Sequence, residues 1–144
     1  MRNEDWNSLR IVYDHCVADG QEYKESEEYL KAAECYYDAK RMGDILRIDG
    51  EFLHSMITSC YRKAGDPQKA IMYFDELKAV YHPAFLFNHA LLTSVAGAYC
   101  DVGEWELAEQ TLYKAIDANK GEKNGRMKFL EDRINSHYNK EFSG

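Results

Sequence analysis

Three groups of residues in this sequence combine a histidine with a nucleophilic or acidic neighbour: Asp14-His15-Cys16, His54 with Cys60, and His89 with Cys100. Nucleophilic catalysis needs a thiol or hydroxyl within hydrogen-bond reach of an activating base. On a predicted helix, His54 and Cys60 point in different directions because they lie six residues apart. His89 and Cys100 are eleven residues apart, which is about 16 Å along a helix axis. Neither pair forms a direct dyad.

The remaining chemical patterns are equally weak. Asp14, His15 and Cys16 are adjacent, so on a helix they splay apart and do not converge on a metal. The sequence contains four cysteines without CxxC spacing, and it has no phosphate loop, dinucleotide fingerprint or nucleophile elbow. We therefore expect no catalytic residue, no metal and no cofactor, and the sequence predicts a protein that is not an enzyme.

The composition predicts a soluble helical protein of the cytoplasm. The chain has 144 residues, 45% of them hydrophobic, and only two prolines. Its polar, acidic beginning carries no secretory signal, and no apolar run approaches the roughly 20 residues that a membrane span needs. Without a signal, the cysteines are expected to stay reduced. The net charge of −7 opposes a general attraction to nucleic acid.

Charge is unevenly distributed along the chain. Residues 1–34 are rich in Asp and Glu, whereas the stretch 114–140 carries a set of cations: Lys114, Lys120, Lys123, Arg126, Lys128, Arg133 and Lys140. This asymmetry indicates a polar partner surface near the C-terminus. A solvated helix face of mixed charge is the alternative.

The sequence also repeats itself at an offset of 38 residues. Five positions match between two segments: Tyr61 and Tyr99, Gly65 and Gly103, Ala70 and Ala108, Phe74 and Leu112, Leu77 and Ala115. Before each glycine, apolar residues recur three and four apart, which predicts one buried helix face. The glycine suits a helix end with positive φ, and the small alanine lets the next helix approach closely. Each unit is predicted to be a helical hairpin.

The spacing Tyr99, Gly103, Trp105, Ala108, Leu112 and Ala115 resembles the tetratricopeptide repeat (TPR) and its sister, the pentatricopeptide repeat. The resemblance implies an all-α, right-handed α-solenoid of about three helical hairpins with a C-terminal capping helix, forming a single domain over 1–144. The repeats are expected at approximately 4–43, 45–83 and 84–120, and the capping helix at 124–139. The predicted helices are 4–18, 24–41, 45–64, 67–81, 84–102, 104–119 and 124–139, with Pro83 starting the fifth early.

The first repeat has two possible registers. Trp6, Leu9 and Tyr13 carry the first-helix spacing of the family, which implies an insertion or an elongated helix before Ala32. Alternatively, the register runs continuously through Gly20 and Tyr23, since Tyr23 lies 38 residues before Tyr61. The sequence leaves both open.

The resemblance implies a protein-interaction module in which first-helix residues line a concave groove. The second repeat would supply Phe52, Ser55, Met56, Ser59, Arg62 and Lys63. The third would supply Thr93, Ser94, Gly97, Cys100 and Asp101. The first would supply Asn7, Ser8, Ile11, Asp14 and His15.

Such a groove suits an extended peptide or a partner helix, and the protein would act as a scaffold, adaptor or small chaperone. The Lys and Asn set with which some family members clamp a C-terminal carboxylate is missing. Pentatricopeptide-like binding of single-stranded RNA through Ser55 and Thr93 is the alternative, and a homodimer through Tyr29, Tyr36 and Tyr37 is conceivable.

Overall fold

The computed structural model describes residues 2–81 and 88–143. In these residues the chain forms seven helices and no strand. The helices are α1 (Asn3–Glu25), α2 (Tyr29–Leu46), α3 (Glu51–Lys63), α4 (Pro67–Val80), α5 (His89–Asp101), α6 (Trp105–Ala118) and α7 (Gly125–Ser143). None of these helices is long and apolar enough to cross a membrane.

The chain divides into two compact units, Met1–Gly65 and Asp66–Gly144. In the first unit, α2 packs against both α1 and α3. In the second, α5 packs against α4 and α6, and α7 lies on α5 and α6. The predicted capping helix is therefore longer than expected and contacts both helices of the hairpin before it.

Three tight turns connect the paired helices at intervals of 38 residues. Glu27, Gly65 and Gly103 have φ values of 61°, 84° and 79°. In each turn the backbone N–H of this residue donates to the carbonyl three positions earlier, at 3.0–3.1 Å. The common geometry establishes the first-repeat register that runs through Gly20 and Tyr23. The long interval after Tyr13 is thus an elongated α1 and not an insertion.

The close approach of α1 and α2 explains why Gly20 is needed in this register. A Cβ atom on Gly20 would lie 2.8 Å from Cε1 of Tyr36, whose side chain is fully buried. The Tyr36 hydroxyl donates to Oε1 of Gln21 at 3.1 Å. Burial raises the pKa of Tyr36 to about 12, so this hydroxyl stays protonated as a donor.

Some predicted helix ends were wrong. The third helix begins at Glu51 rather than at residue 45, because α2 continues to Leu46 and ends where Arg47 takes a left-handed φ of 58°. The amide of Ile48 then donates to the carbonyl of Gly43 at 2.9 Å, which closes the end of the helix. The predicted start of the fifth helix at residue 84, after Pro83, lies outside the described residues.

The repeat positions form the cores of the two units. In the first unit, Ala32, Tyr36 and Ala39 are inaccessible to solvent. In the second, Ala70 and Ala108 are likewise inaccessible, and these small residues allow the backbones of paired helices to approach closely. Three residues at helical spacing bury one side of α7: Met127, Leu130 and Ile134.

Candidate interaction surfaces

The six residues predicted from the second repeat share one accessible face of α3. Phe52 and Lys63 are exposed, and the members between them are half-buried: Ser55, Met56, Ser59 and Arg62. Leu53, Ile57 and Cys60 occupy the opposite face and are buried. The helical period alone produces this separation, since residues three and four apart share a face. We call the six residues the α3 face.

The α3 face is apolar at one end and cationic at the other. The Phe52 side chain is 59% exposed. Eleven residues further on, the Lys63 ammonium lies 5.5 Å from the centre of the Tyr29 ring, a favourable cation–π distance. Cations in the last helical turn, here Arg62 and Lys63, also complement the partial negative charge of the helix end.

His54 lies on the buried side of α3, away from that face. It is accompanied by Lys40, which is itself buried and pairs with Asp44 at 3.1 Å. Burial, reinforced by the Lys40 charge, lowers the pKa of His54. The histidine is therefore neutral near pH 7 and forms part of the interior of the first unit.

The residues predicted from the third repeat are mostly inaccessible. Thr93, Ser94 and Gly97 are buried in a run that extends from Leu91 to Cys100. The Thr93 hydroxyl donates to the carbonyl of His89 at 2.6 Å, so its proton is already used within the helix. A ligand cannot touch these three residues in this structure.

Asp101 is the accessible member of that set. Its carboxylate accepts a hydrogen bond from Arg133 Nη1 on α7, at 2.9 Å. The two residues are 32 positions apart in the sequence, and helical periodicity alone does not indicate that they meet. The pair connects the end of α5 to the middle of α7.

In the first repeat, the observed register replaces most of the predicted residues. Positions 38 before the α3 face start at Asp14 and continue toward the end of α1, so Asp14 alone keeps its predicted place. The others lie elsewhere in the repeat pattern: Asn7, Ser8, Ile11 and His15. The error came from aligning the repeat on Tyr13 instead of Tyr23.

A groove of about 470 Å³ lies between the beginning of α6 and the second half of α7. Seven residues line it: Trp105, Phe129, Asp132, Arg133, Ser136, His137 and Lys140. The Trp105 and His137 rings are stacked, with centroids 4.4 Å apart and an angle of 11° between their planes. We call this feature the α6–α7 groove. Sequence reasoning noted its cations but assigned Trp105 to packing alone.

The thiols are poorly placed for nucleophilic chemistry. Cys60 and Cys100 are 1% and 2% exposed, and burial raises the pKa of the Cys60 thiol. Burial, followed by the charge of Asp38, raises the pKa of Cys16. Within the part of the chain that the structure describes, no three His, Cys, Asp or Glu side chains are grouped so as to hold a metal ion.

Comparison with known proteins identifies the fold. No protein-family profile and no curated protein matches the sequence. Among solved structures, the chain is similar to the TPR domain of Sgt2 from Aspergillus fumigatus, with a TM-score of 0.73 and 17% sequence identity. The match covers 92% of this chain and 82% of the other. The predicted TPR-like, all-α helical-repeat fold is therefore confirmed.

Proposed function

We propose that this protein is a non-catalytic protein-interaction module, serving as a scaffold, adaptor or small chaperone. It binds an extended peptide or a partner helix through the α3 face. We place it in the cytoplasm, where its four free cysteines would remain reduced. The observation that carries the proposal is the exposure of Phe52 on the same helix face as Lys63, because an apolar anchor beside a cation suits peptide recognition.

The α3 face favours a ligand with an apolar side chain and a carboxylate. Phe52 and Met56 would contact the apolar group, and the Lys63 ammonium would pair with the acid. Phe52 and Lys63 are separated by about 16 Å along the helix axis. An extended peptide covers that distance in about five residues, so we expect the two ligand groups to be about five residues apart.

Partner capture from the native host, followed by affinity measurement, tests this function. Proteins retained by the wild type would be identified by mass spectrometry and compared with those retained by Phe52→Ala and Lys63→Glu. Met72→Ala is the matched apolar control because Met72 is 67% exposed on α4 in the second unit. Purified partners would then be titrated by calorimetry.

We expect Phe52→Ala to weaken a genuine partner roughly tenfold, as loss of a buried aromatic anchor does. Lys63→Glu should weaken the same partner and make the remaining binding less sensitive to salt. Met72→Ala should bind normally. Partners that bind both α3 variants as tightly as the wild type would contradict the proposal.

A further inference from the structure

We propose that the α6–α7 groove is a second docking site, which takes an acidic peptide segment carrying an aromatic or large aliphatic side chain. The site lies in the second unit and uses none of the α3 face. It would let the protein hold a second segment, from the same partner or from another. The inference does not depend on the function proposed for α3.

The apolar part of the groove has the form of an anchor pocket. The stacked rings of Trp105 and His137 present a flat surface, and Phe129, with 63% of its side chain exposed, stands beside them. Large aromatic side chains left exposed together are costly in water and are enriched at the centres of binding interfaces. An aromatic or aliphatic side chain of a ligand would cover them.

The cationic part of the groove lies along one edge of α7. Arg133 and Lys140 are seven residues apart, which is two helical turns or about 10 Å. Lys140 forms no ion pair with any residue in the described ranges. Arg133 uses Nη1 for Asp101, but a guanidinium has five N–H donors and can hold a second carboxylate. Carboxylates three residues apart in an extended peptide match this spacing.

The charge balance favours a peptide over a nucleic acid. The groove lining has two cations and one carboxylate, Asp132, for a local charge of +1 when His137 is neutral. The whole chain carries −7. A few carboxylates can be neutralised at this edge, whereas a polyphosphate needs many cations and would be repelled by the rest of the chain. The C-terminal cation cluster of the sequence thereby acquires a local role.

Tryptophan fluorescence gives a readout that is specific to this groove. The chain contains two tryptophans, so Trp6→Phe leaves Trp105 as the single emitter. This protein would be titrated with blocked nonapeptides in which one phenylalanine lies between two glutamates that are three, four or five residues apart. Glutamine counterparts remove the ligand charge, and an oligothymidine of nine nucleotides tests nucleic acid.

Three variants in the Trp6→Phe background assign the contacts. Lys140→Glu reverses a charge in the groove, and Phe129→Ala removes its exposed ring. Lys128→Glu is the matched control, because it makes the same charge change on an exposed position of α7 that does not line the groove. Lys63→Glu shows whether the α3 face contributes.

We expect at least one glutamate peptide to change Trp105 emission saturably. Lys140→Glu and Phe129→Ala should each weaken it roughly fivefold or more, and Lys128→Glu and Lys63→Glu less than twofold. The glutamine peptides should bind at least fivefold more weakly. The proposal is overturned if no peptide binds below 1 mM, if Lys128→Glu and Lys140→Glu have equal effects, or if the oligothymidine binds more tightly than every peptide.

Discussion

Replacing Gly20 by alanine tests the close approach of α1 and α2. The new methyl group would lie 2.8, 2.9 and 3.1 Å from Cε1, Cδ1 and Cζ of Tyr36. Tyr36 is fully buried, so its ring cannot move aside without displacing other core atoms. Overpacking of this kind costs about 1–3 kcal/mol, and the higher helix propensity of alanine returns about 0.5–1 kcal/mol. We expect a net destabilisation of roughly 0.5–2 kcal/mol.

Urea and thermal unfolding, followed by helical circular dichroism, would measure this change. A loss of about 1 kcal/mol lowers the Tm by roughly 2–4 °C in a chain of this size. Gly125→Ala is the matched control, since a Cβ at Gly125 meets no other described atom within 4 Å. It should be neutral or slightly stabilising. If Gly20→Ala proved as stable as Gly125→Ala, the close helix contact would be refuted.

Three further substitutions test local features. Because the folded-state pKa of His54 is lowered, folding stability should be full above the unfolded pKa of about 6.5 and fall as the pH drops below it; in His54→Gln, urea titrations from pH 8 to 5 should show a smaller fall. Asp66→Ala should cost about 1 kcal/mol, since its side chain accepts from the Lys69 amide at 3.1 Å, whereas Glu104→Ala, at an N-cap without such a bond, should be nearly neutral in the same unfolding assay. Glu27→Gly should raise the Tm and Gly65→Ala should lower it, because both positions have positive φ; opposite signs would contradict the shared turn geometry.

The hairpins of the second and third repeats were predictable because their signals are local. Glycines at 65 and 103 mark the turns, and the small residues Ala70 and Ala108 follow at a fixed distance. The first hairpin lacks this mark, because Glu27 adopts the same left-handed conformation as those two glycines. The choice of its register depends on the contact between Gly20 and Tyr36, which is a tertiary interaction.

The α3 face was predictable for a similar reason. Helical periodicity alone places its six residues together and on the opposite side from Leu53 and Ile57. Periodicity gives no warning that the equivalent residues of α5 are buried. Nor does it pair Asp101 with Arg133 or Trp105 with His137, since these contacts depend on how a distant helix packs.

The buried cysteines turn each unit into its own clock. Cys60 lies inside the first unit and Cys100 inside the second, and both are almost inaccessible. A water-soluble thiol reagent would modify the half-buried Cys16 and Cys35 early, and each buried thiol only when its own unit opens. With Cys16 and Cys35 replaced by serine, the two remaining labelling rates would report the opening of each unit separately.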